Sequence, residues 1–92
     1  MDDSTLIELC RALGDPVRLS IVNELRDGTR CACELAAVAV VSPSLLSHHL
    51  KVLRDLGLIS GKRRGRWIDY TLVPATFQRL SEALAPEAVL VR

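Results

Sequence analysis

The sequence has few of the residues and segments that mark secreted, membrane-spanning or aromatic-rich proteins. Only three of its residues are aromatic whereas about half are apolar, which favours helices packed through Leu, Ala and Val. No apolar run approaches the length of a membrane span, and no basic segment followed by an apolar one opens the chain. The number of cysteines, three, is odd, and two of them are separated by a single residue, so the sequence does not indicate a fold stabilised by several disulfides. We therefore expect a cytoplasmic protein.

Length and charge narrow the class further. A chain of 92 residues is enough for one small domain, spanning residues 1–92. Because the hydrophobic core of one such domain would be small, we expect dimerisation. The net charge of +1 hides an uneven distribution. The N-terminal segment is acidic, with Asp2, Asp3 and Glu8, whereas four basic residues fall within five positions near the middle of the second half. Those cations are Lys62, Arg63, Arg64 and Arg66.

The spacing of apolar residues predicts a mainly α-helical domain with one small β-hairpin. Apolar side chains recur at helical spacing in five segments, and acids, prolines and glycines mark several of the ends. After Gly57 the apolar period changes to two, which predicts two antiparallel strands around Arg64-Gly65. The predicted helices cover about residues 4–14, 15–28, 31–40, 42–57 and 74–85, and the predicted strands cover 58–63 and 66–72. The expected element order is ααααββα.

The fourth predicted helix has the composition of a helix that reads DNA. Ser42 is placed to cap it, and Pro43 to occupy its first position. Short hydroxyls near its N-terminus, followed by an imidazole and an ammonium, suit insertion into a major groove, although an ordinary amphipathic helix has the same pattern. At about 100° per residue, the apolar arc holds Leu45, Leu46, His49, Leu50, Val52, Leu53 and Leu56, and the polar arc holds Ser44, Ser47, His48, Lys51, Arg54 and Asp55.

The neighbouring elements favour DNA binding over the ordinary amphipathic helix. The third helix, the turn Val40-Val41-Ser42 and the fourth helix form a helix-turn-helix, although the usual glycine of the turn is absent. The hairpin that follows carries the four cations at its tip, as the wing of a winged helix-turn-helix would. In that position the cations would lie on a phosphate backbone and release its counterions.

Four motifs stand out along the chain: Leu13-Gly14-Asp15-Pro16-Val17-Arg18-Leu19, Ser47-His48-His49-Leu50-Lys51-Val52-Leu53, Gly57-Leu58-Ile59 and Arg64-Gly65-Arg66-Trp67. All four resemble motifs of the ArsR/SmtB family of bacterial winged-helix repressors, and they fall in the family's order. The similarity runs from about residue 6 to 84, nearly the whole chain. The resemblance implies a homodimer that binds imperfect palindromic operator DNA, and a small inducer, commonly a metal ion, that weakens this binding.

The resemblance also assigns surfaces to the dimer and to the DNA. The first and last helices, about residues 4–14 and 74–85, would form the two-fold interface through Leu6, Leu9, Leu13, Phe77, Leu80 and Leu84. The recognition helix and the wing would share the operator. We expect Ser44, Ser47 and His48 towards bases with Leu45 beside them, and Lys51, Arg63, Arg64 and Arg66 towards phosphates.

Cys31 and Cys33 stand at the start of the third helix, where many thiophilic-metal sensors of the family carry a Cys-x-Cys pair. Within a regular helix, residues two apart point about 200° apart and cannot share a metal ion. If Cys31 is an N-cap with non-helical dihedral angles, its sulfur can approach that of Cys33. The helix N-terminus and Arg30 would then favour the ligating thiolates. A buried structural pair is the alternative.

The number of ligands is where this chain departs from its relatives. One arsenic-sensing branch carries a third cysteine where this chain has Ala36, so Cys10 is the remaining thiol. Three sulfurs suit As(III) or Sb(III), with Cd(II) or Pb(II) as further inducers. Alternatively, Cys10 lies on the apolar stripe of the first helix as a small core or interface hydrophobe. Zinc- and nickel-type relatives use His and acidic residues on the last helix, and residues 74–85 offer only Glu82.

The remaining polar residues do not indicate an enzyme. His49 falls inside the apolar arc, which favours a hydrogen-bonded structural role over metal ligation, and neither histidine has the partner spacing of a hydrolase or zinc enzyme. Two alternatives to a metalloid-responsive repressor stay open. One is a thiol-redox or persulfide sensor on the same fold. The other is a small adaptor that binds a protein partner. Neither a membrane nor a small organic substrate is expected.

Overall fold

A computed structural model describes residues 1–86 as five helices and a three-stranded antiparallel sheet, which confirms the predicted mainly α winged helix. The tail, residues 87–92, lies outside the described residues. In chain order the elements are α1 (Asp3–Leu13), α2 (Pro16–Leu25), β1 (Arg30–Cys31), α3 (Ala32–Ala39), α4 (Pro43–Asp55), β2 (Ile59–Arg64), β3 (Trp67–Leu72) and α5 (Pro74–Leu84). No single helix in this range is long and apolar enough to cross a membrane; by length and composition alone, only the bent pair of α3 and α4 would qualify.

Two helices begin at the capping residues that the sequence predicts. The Asp15 carboxylate accepts hydrogen bonds from the backbone N–H groups of Val17 and Arg18 at 3.0 Å each, which starts α2. The Ser42 hydroxyl accepts one from Leu45 N–H at 3.2 Å, which starts α4. Each cap is followed by a proline at the first helical turn. The start of the recognition helix is therefore fixed locally.

The hydrophobic core lies between the helices and the inner face of the sheet. Leu46, Leu50 and Leu53 of α4 are buried in it, so the opposite face of that helix is left to solvent. The most completely buried large side chains come from five different elements and one loop. They are Leu9, Ile21, Leu35, Leu53, Leu58 and Ile59.

A short strand that the sequence did not predict precedes α3. The two residues of β1 pair antiparallel with the central strand β3, with Arg30 opposite Tyr70 and Cys31 opposite Asp69. The third helix, predicted from about residue 31, begins at Ala32 with Cys31 as its N-cap. A two-residue strand is too short to show a period of two, so the apolar pattern could not indicate it.

The hairpin loop of the wing lies one residue further along the chain than predicted, which shifts the cross-strand pairing by two residues. The strands β2 and β3 pair from Ile59 opposite Leu72 to Arg64 opposite Trp67, so the two-residue loop is Gly65-Arg66 and not Arg64-Gly65. Gly65 has a φ of +62°, which a tight hairpin requires and which glycine adopts without strain. The predicted inner face of β3 is confirmed, because Tyr70 is buried and its neighbours on that face pack against the core.

The turn of the helix-turn-helix carries a strained valine. Helices α3 and α4 meet at 110°, and Val40 between them has φ +51° and ψ +48°, in the left-handed region. This is the conformation that a glycine adopts at the end of a helix, and the sequence has no glycine there. A β-branched side chain in this region is a genuine outlier. Val40 is also 84% exposed, so its side chain gains little from packing.

Replacing Val40 by glycine is expected to raise the free energy of unfolding by about 1 kcal/mol, because the left-handed backbone is strained for valine and free for glycine. Urea denaturation of the two proteins measures the difference. The matched control is Val41→Gly, since Val41 is partly buried against the core and its loss should be destabilising. A Val40→Gly variant that loses as much stability as Val41→Gly would contradict the strain.

Candidate nucleic-acid interface and cysteine pair

The outward face of α4 carries the side chains that were predicted to contact bases. Leu45 is 44% exposed, so it belongs to this face rather than to the apolar arc in which the sequence pattern placed it. His49 is buried on the opposite side. Short polar groups and one imidazole thus form a continuous outer surface over the first half of the helix, with the shape and chemistry that a major groove accepts. The predicted contact residues of α4 are all exposed, and they are Ser44, Leu45, Ser47, His48 and Lys51.

Lys51 has an acidic partner one helical turn away. Its Nζ donates a hydrogen bond to Oδ2 of Asp55 at 2.6 Å, and this bond lowers the pKa of Asp55. Both side chains are more than half exposed, and such ion pairs contribute about 0–1 kcal/mol to stability. A phosphate can therefore replace Asp55 as the partner of Lys51 at little cost.

His49 joins the recognition helix to two other helices through one guanidinium. Arg18 Nη1 lies 3.1 Å from His49 Nδ1, and Arg18 Nε donates to the carbonyl oxygen of Ala12 at 2.8 Å. Burial lowers the pKa of His49, the charge of Arg18 acts in the same direction, and the carboxylate of Asp15 opposes them. The imidazole has the hydrogen-bonded structural position that the sequence favoured.

The lowered pKa of His49 predicts a loss of stability below about pH 6.5. In the unfolded chain His49 takes up its proton near its ordinary value of 6.5, but the folded chain does so only at lower pH. Between those two values the unfolded state binds more protons, so the free energy of unfolding falls as the pH falls from 6.5 to the folded-state pKa.

Urea unfolding at about pH 7.5 and about pH 5.5 measures this dependence on the two sides of a histidine titration. A His49→Gln variant should lose most of the difference between the two pH values. His48→Gln is the control, because His48 is exposed on the outer face of α4 and should leave the difference in place. An undiminished difference in His49→Gln would contradict the assignment.

The wing presents its cations unequally. Lys62, Arg63 and Arg66 are exposed near the tip, as predicted. Arg64 instead forms a two-point ion pair with Asp69 across the hairpin: Nε to Oδ2 is 2.7 Å, and Nη2 to Oδ1 is 3.1 Å. The pair raises the pKa of Arg64 and lowers that of Asp69. Asp69 is thus part of this surface, although the sequence pattern gave it no functional role.

Cys31 and Cys33 come together at the N-terminus of α3. Cys31 is the N-cap with extended backbone, φ −77° and ψ 162°, and its Sγ is joined to that of Cys33 in a disulfide. The Cys31 N–H donates to Oε1 of Glu34 at 2.9 Å. The predicted approach of the two sulfurs across the N-cap is confirmed. Of the alternative, a buried structural pair, the burial holds for Cys31 but not for Cys33, which is exposed.

Cys10 lies apart from this pair on the exposed side of α1. The alternative that it belongs to the core of the protomer is therefore wrong, while a place in an interface between protomers is still open. Among residues 1–86, no three His, Cys, Asp or Glu side chains are grouped closely enough to hold a metal ion. A single protomer thus brings together two thiols, Cys31 and Cys33, and not three.

The helices expected to form a dimer interface, α1 and α5, contact each other within the protomer. Leu9 and Leu80 are buried in the core, so the prediction that they lie at the two-fold interface is wrong. The large apolar side chains that these two helices leave exposed are Ile7 and Leu84, each more than half exposed. A contact between protomers through these helices would use this outer side.

A helix-turn-helix followed by a basic hairpin defines a winged-helix protein. The chain belongs to the arsR family of bacterial regulatory proteins, whose family model matches residues 15–60. The regulators of this family and the relatives below are transcriptional regulators and not enzymes, as the sequence predicted.

Three similar proteins show the extent of the match. The HTH-type transcriptional repressor SmtB of Mycobacterium tuberculosis is 46% identical over 65 residues, which cover 71% of this chain and 48% of that protein. The arsenical resistance operon repressor of Bacillus subtilis is 41% identical over 76% of this chain and 74% of its own. The structure of an ArsR-like transcriptional regulator from Rhodococcus sp. superimposes with a TM-score of 0.78 at 30% identity, covering 88% of this chain and 76% of that one. The chain spans about half the length of the first of these relatives.

Proposed function

We propose that the protein is a homodimeric transcriptional repressor that leaves its operator when Cys31 and Cys33 bind a thiophilic metalloid. As(III) or Sb(III) is the proposed inducer, with Cd(II) or Pb(II) as further candidates. The observation that carries the proposal is the meeting of the two sulfurs at the N-cap of α3, in the element just before the recognition helix. The similarity to the arsenical resistance operon repressor of Bacillus subtilis supports it.

The DNA-binding half of the proposal rests on two adjacent exposed surfaces. The outer face of α4 supplies hydroxyls and the His48 imidazole for base edges, which specify sequence. The wing supplies cations for phosphates, which add affinity without sequence preference. The proposed base-facing residues are Ser44, Leu45, Ser47 and His48, and the proposed phosphate-facing residues are Lys51, Arg63, Arg64 and Arg66.

The position of the cysteine pair explains how ligand binding would reach both surfaces. Cys31 ends β1, which pairs with β3 of the wing, and Cys33 lies in α3, which leads through the Val40 turn into α4. An ion that ties the two sulfurs together therefore acts on the wing and on the recognition helix. For release, the ion must bind the low-affinity conformation better; a coupling of about 1–3 kcal/mol is typical.

Trivalent arsenic bound by two thiolates has room for a third ligand. We propose Cys10 for this place, supplied by either protomer, since Cys10 is exposed on a helix proposed to lie at the two-fold interface. Within one protomer the three thiols are not grouped. The third sulfur thus depends on how the two copies of α1 meet.

A thiol-redox repressor on the same fold is the second candidate function. It is favoured by the disulfide that joins Cys31 and Cys33. In this case oxidation of the two thiols, rather than ligation of a metalloid, would switch DNA binding. Mass spectrometry distinguishes the two functions, since arsenite adds arsenic to the protein whereas a polysulfide oxidises the pair or adds sulfur.

Fluorescence anisotropy with DNA from upstream of the protein's own gene tests the proposal. We expect tighter binding to this DNA than to unrelated DNA of the same length, and release on addition of arsenite. His48→Ala should reduce the preference by about 1–3 kcal/mol, whereas Arg66→Ala should weaken both complexes alike. Equal affinity of the wild-type protein for both DNAs, at low and high salt, would refute operator recognition.

A further inference from the structure

Asp69 pairs with Cys31 in the sheet and forms an ion pair with Arg64 of the wing. In the register of the sheet it stands directly opposite Cys31, the last residue of β1. Its carboxylate holds the Arg64 guanidinium at two points, 2.7 and 3.1 Å. Asp69 thus connects Cys31 to Arg64. Without this ion pair, the Arg64 guanidinium would be free to bind DNA.

Arg64 also interacts with the carboxylate of Glu34, a residue of α3, the helix that carries Cys33. Glu34, whose Oε1 accepts the Cys31 N–H at 2.9 Å, adds to the rise in the pKa of Arg64 that Asp69 mainly causes. The guanidinium therefore feels acids from both β3 and the start of α3. In the described part of the chain, the Arg64–Asp69 pair is the one ion pair that a wing cation forms.

We propose that Asp69 is a positioning residue for DNA binding, which holds Arg64 away from phosphate when the Cys31–Cys33 pair is closed and releases it when the pair is open. The inference rests on the proposed function, in that the wing must contact DNA. A closed pair joins the Sγ of Cys31 to that of Cys33 in the first turn of α3, which restricts the conformation of Cys31 opposite Asp69. An open pair removes this covalent constraint, so Cys31 is held by its pairing with Asp69, by the hydrogen bond to Glu34 and by its neighbour Arg30, which pairs with Glu24, and Asp69 has a less firmly fixed neighbour.

The choice of Arg64 between Asp69 and a DNA phosphate can be shifted by a small change in the position of Asp69. The Arg64 side chain is 64% exposed, and an ion pair in contact with solvent is held weakly. A phosphate of the operator offers the same guanidinium an anionic partner with a gain from counterion release. A modest change in the position of Asp69 can therefore decide which anion Arg64 binds.

Closure of the pair can be produced without a metalloid. A low-molecular-weight disulfide such as glutathione disulfide exchanges with the two thiols in two steps through a mixed disulfide. Each cysteine thiol gives up a proton, the Cys31–Cys33 S–S bond forms, and the S–S bond of the reagent is reduced to two thiols. The two protein sulfurs lose two electrons and the reagent gains them.

The test compares operator affinity and its salt dependence in the open and closed states, in the full chain with Cys10→Ser so that only the pair reacts. Closure should lower affinity about three- to tenfold and reduce the salt slope by about one, the value of one phosphate contact. Asp69→Asn should bind tightly with the steeper slope in both states. Arg64→Ala should bind weakly in both, and adding Asp69→Asn to it should change nothing further.

Two more variants make the outcome decisive. Arg66→Ala removes a wing cation that has no acidic partner in the described residues, so it should bind less tightly but keep its response to closure. Asp69→Glu retains the carboxylate and should restore the response that Asp69→Asn loses. A full response in Asp69→Asn, or an Asp69→Glu variant that behaves like Asp69→Asn, would overturn the role of Asp69 while leaving the repressor intact. If neither the wild type nor Arg66→Ala prefers operator DNA in either state, the proposed function itself fails.

Discussion

Replacing Ile7 by aspartate is expected to lower operator affinity by about a hundredfold or more. Ile7 is 51% exposed on α1, so a carboxylate there stays in water in an isolated protomer and costs its fold little. At a two-fold interface the same carboxylate would be buried near its symmetry mate without a partner, which is strongly unfavourable. A monomer would then engage one half-site, and the loss of the second contact removes a factor of about 10²–10⁴.

Sedimentation and anisotropy on the same samples measure both parts of this expectation. Leu80→Asp would not serve, because Leu80 is buried in the core and its replacement would unfold the protomer. Val38→Asp is the matched control for assembly, since Val38 is a partly exposed apolar residue on α3, outside the two proposed interface helices. A wild-type protein that is monomeric at micromolar concentration would contradict the dimer.

Replacing Cys33 by serine is expected to abolish the response to arsenite while apo DNA binding stays near that of the wild type. Serine is a poor ligand for a soft ion, and Cys33 is exposed, so a hydroxyl there remains hydrated. Cys31→Ser should have the same effect, because serine is a good N-cap residue and preserves the start of α3. The lost coupling corresponds to about 5–150-fold in operator affinity.

Arsenite titration of the operator complex measures the coupling, and sulfur–metal charge-transfer absorption reports the site itself. Cys10→Ser is the informative comparison. If Cys10 supplies the third sulfur, its loss should remove the arsenite response but spare ions that accept water as a ligand. If it does not, the response should persist. Absorption that survives the loss of both Cys31 and Cys33 would show that the site is elsewhere.

The helical framework and the position of the cysteine pair could be predicted because their causes are local. Asp15, Ser42 and the prolines after them fix where helices begin, whatever the rest of the chain does. The approach of Cys31 to Cys33 follows from N-cap geometry in the same way. By contrast, the α1 stripe contains Leu9 and Cys10 side by side, and only packing against other helices decides that the first is buried and the second exposed.

The sequence pattern did not indicate a role for Asp69 because its contact with Arg64 depends on the register of the strands. With the loop predicted at Arg64-Gly65, Asp69 faces the middle of β2 and lies away from the cations at the tip. The observed loop, Gly65-Arg66, brings Asp69 opposite Lys62 and diagonal to Arg64, within reach of a long side chain. Its other contact, with Cys31, depends on a two-residue strand that leaves no periodic pattern in the sequence.

The guanidinium of Arg18, a residue of α2, connects this helix to α1 and α4. It donates to the Ala12 carbonyl in the last turn of α1 and lies 3.1 Å from His49 Nδ1 on the buried side of α4. A rotation of α4 would therefore disturb a residue that also holds α1, the helix proposed to meet its twin across the two-fold axis. In such a dimer the spacing between half-sites would be set by how two copies of α1 meet, and the bases preferred within each half-site by the outer face of α4. Substitutions in α1 would then change the spacing of the half-sites that the dimer recognises, whereas substitutions on the outer face of α4 would change the preferred bases.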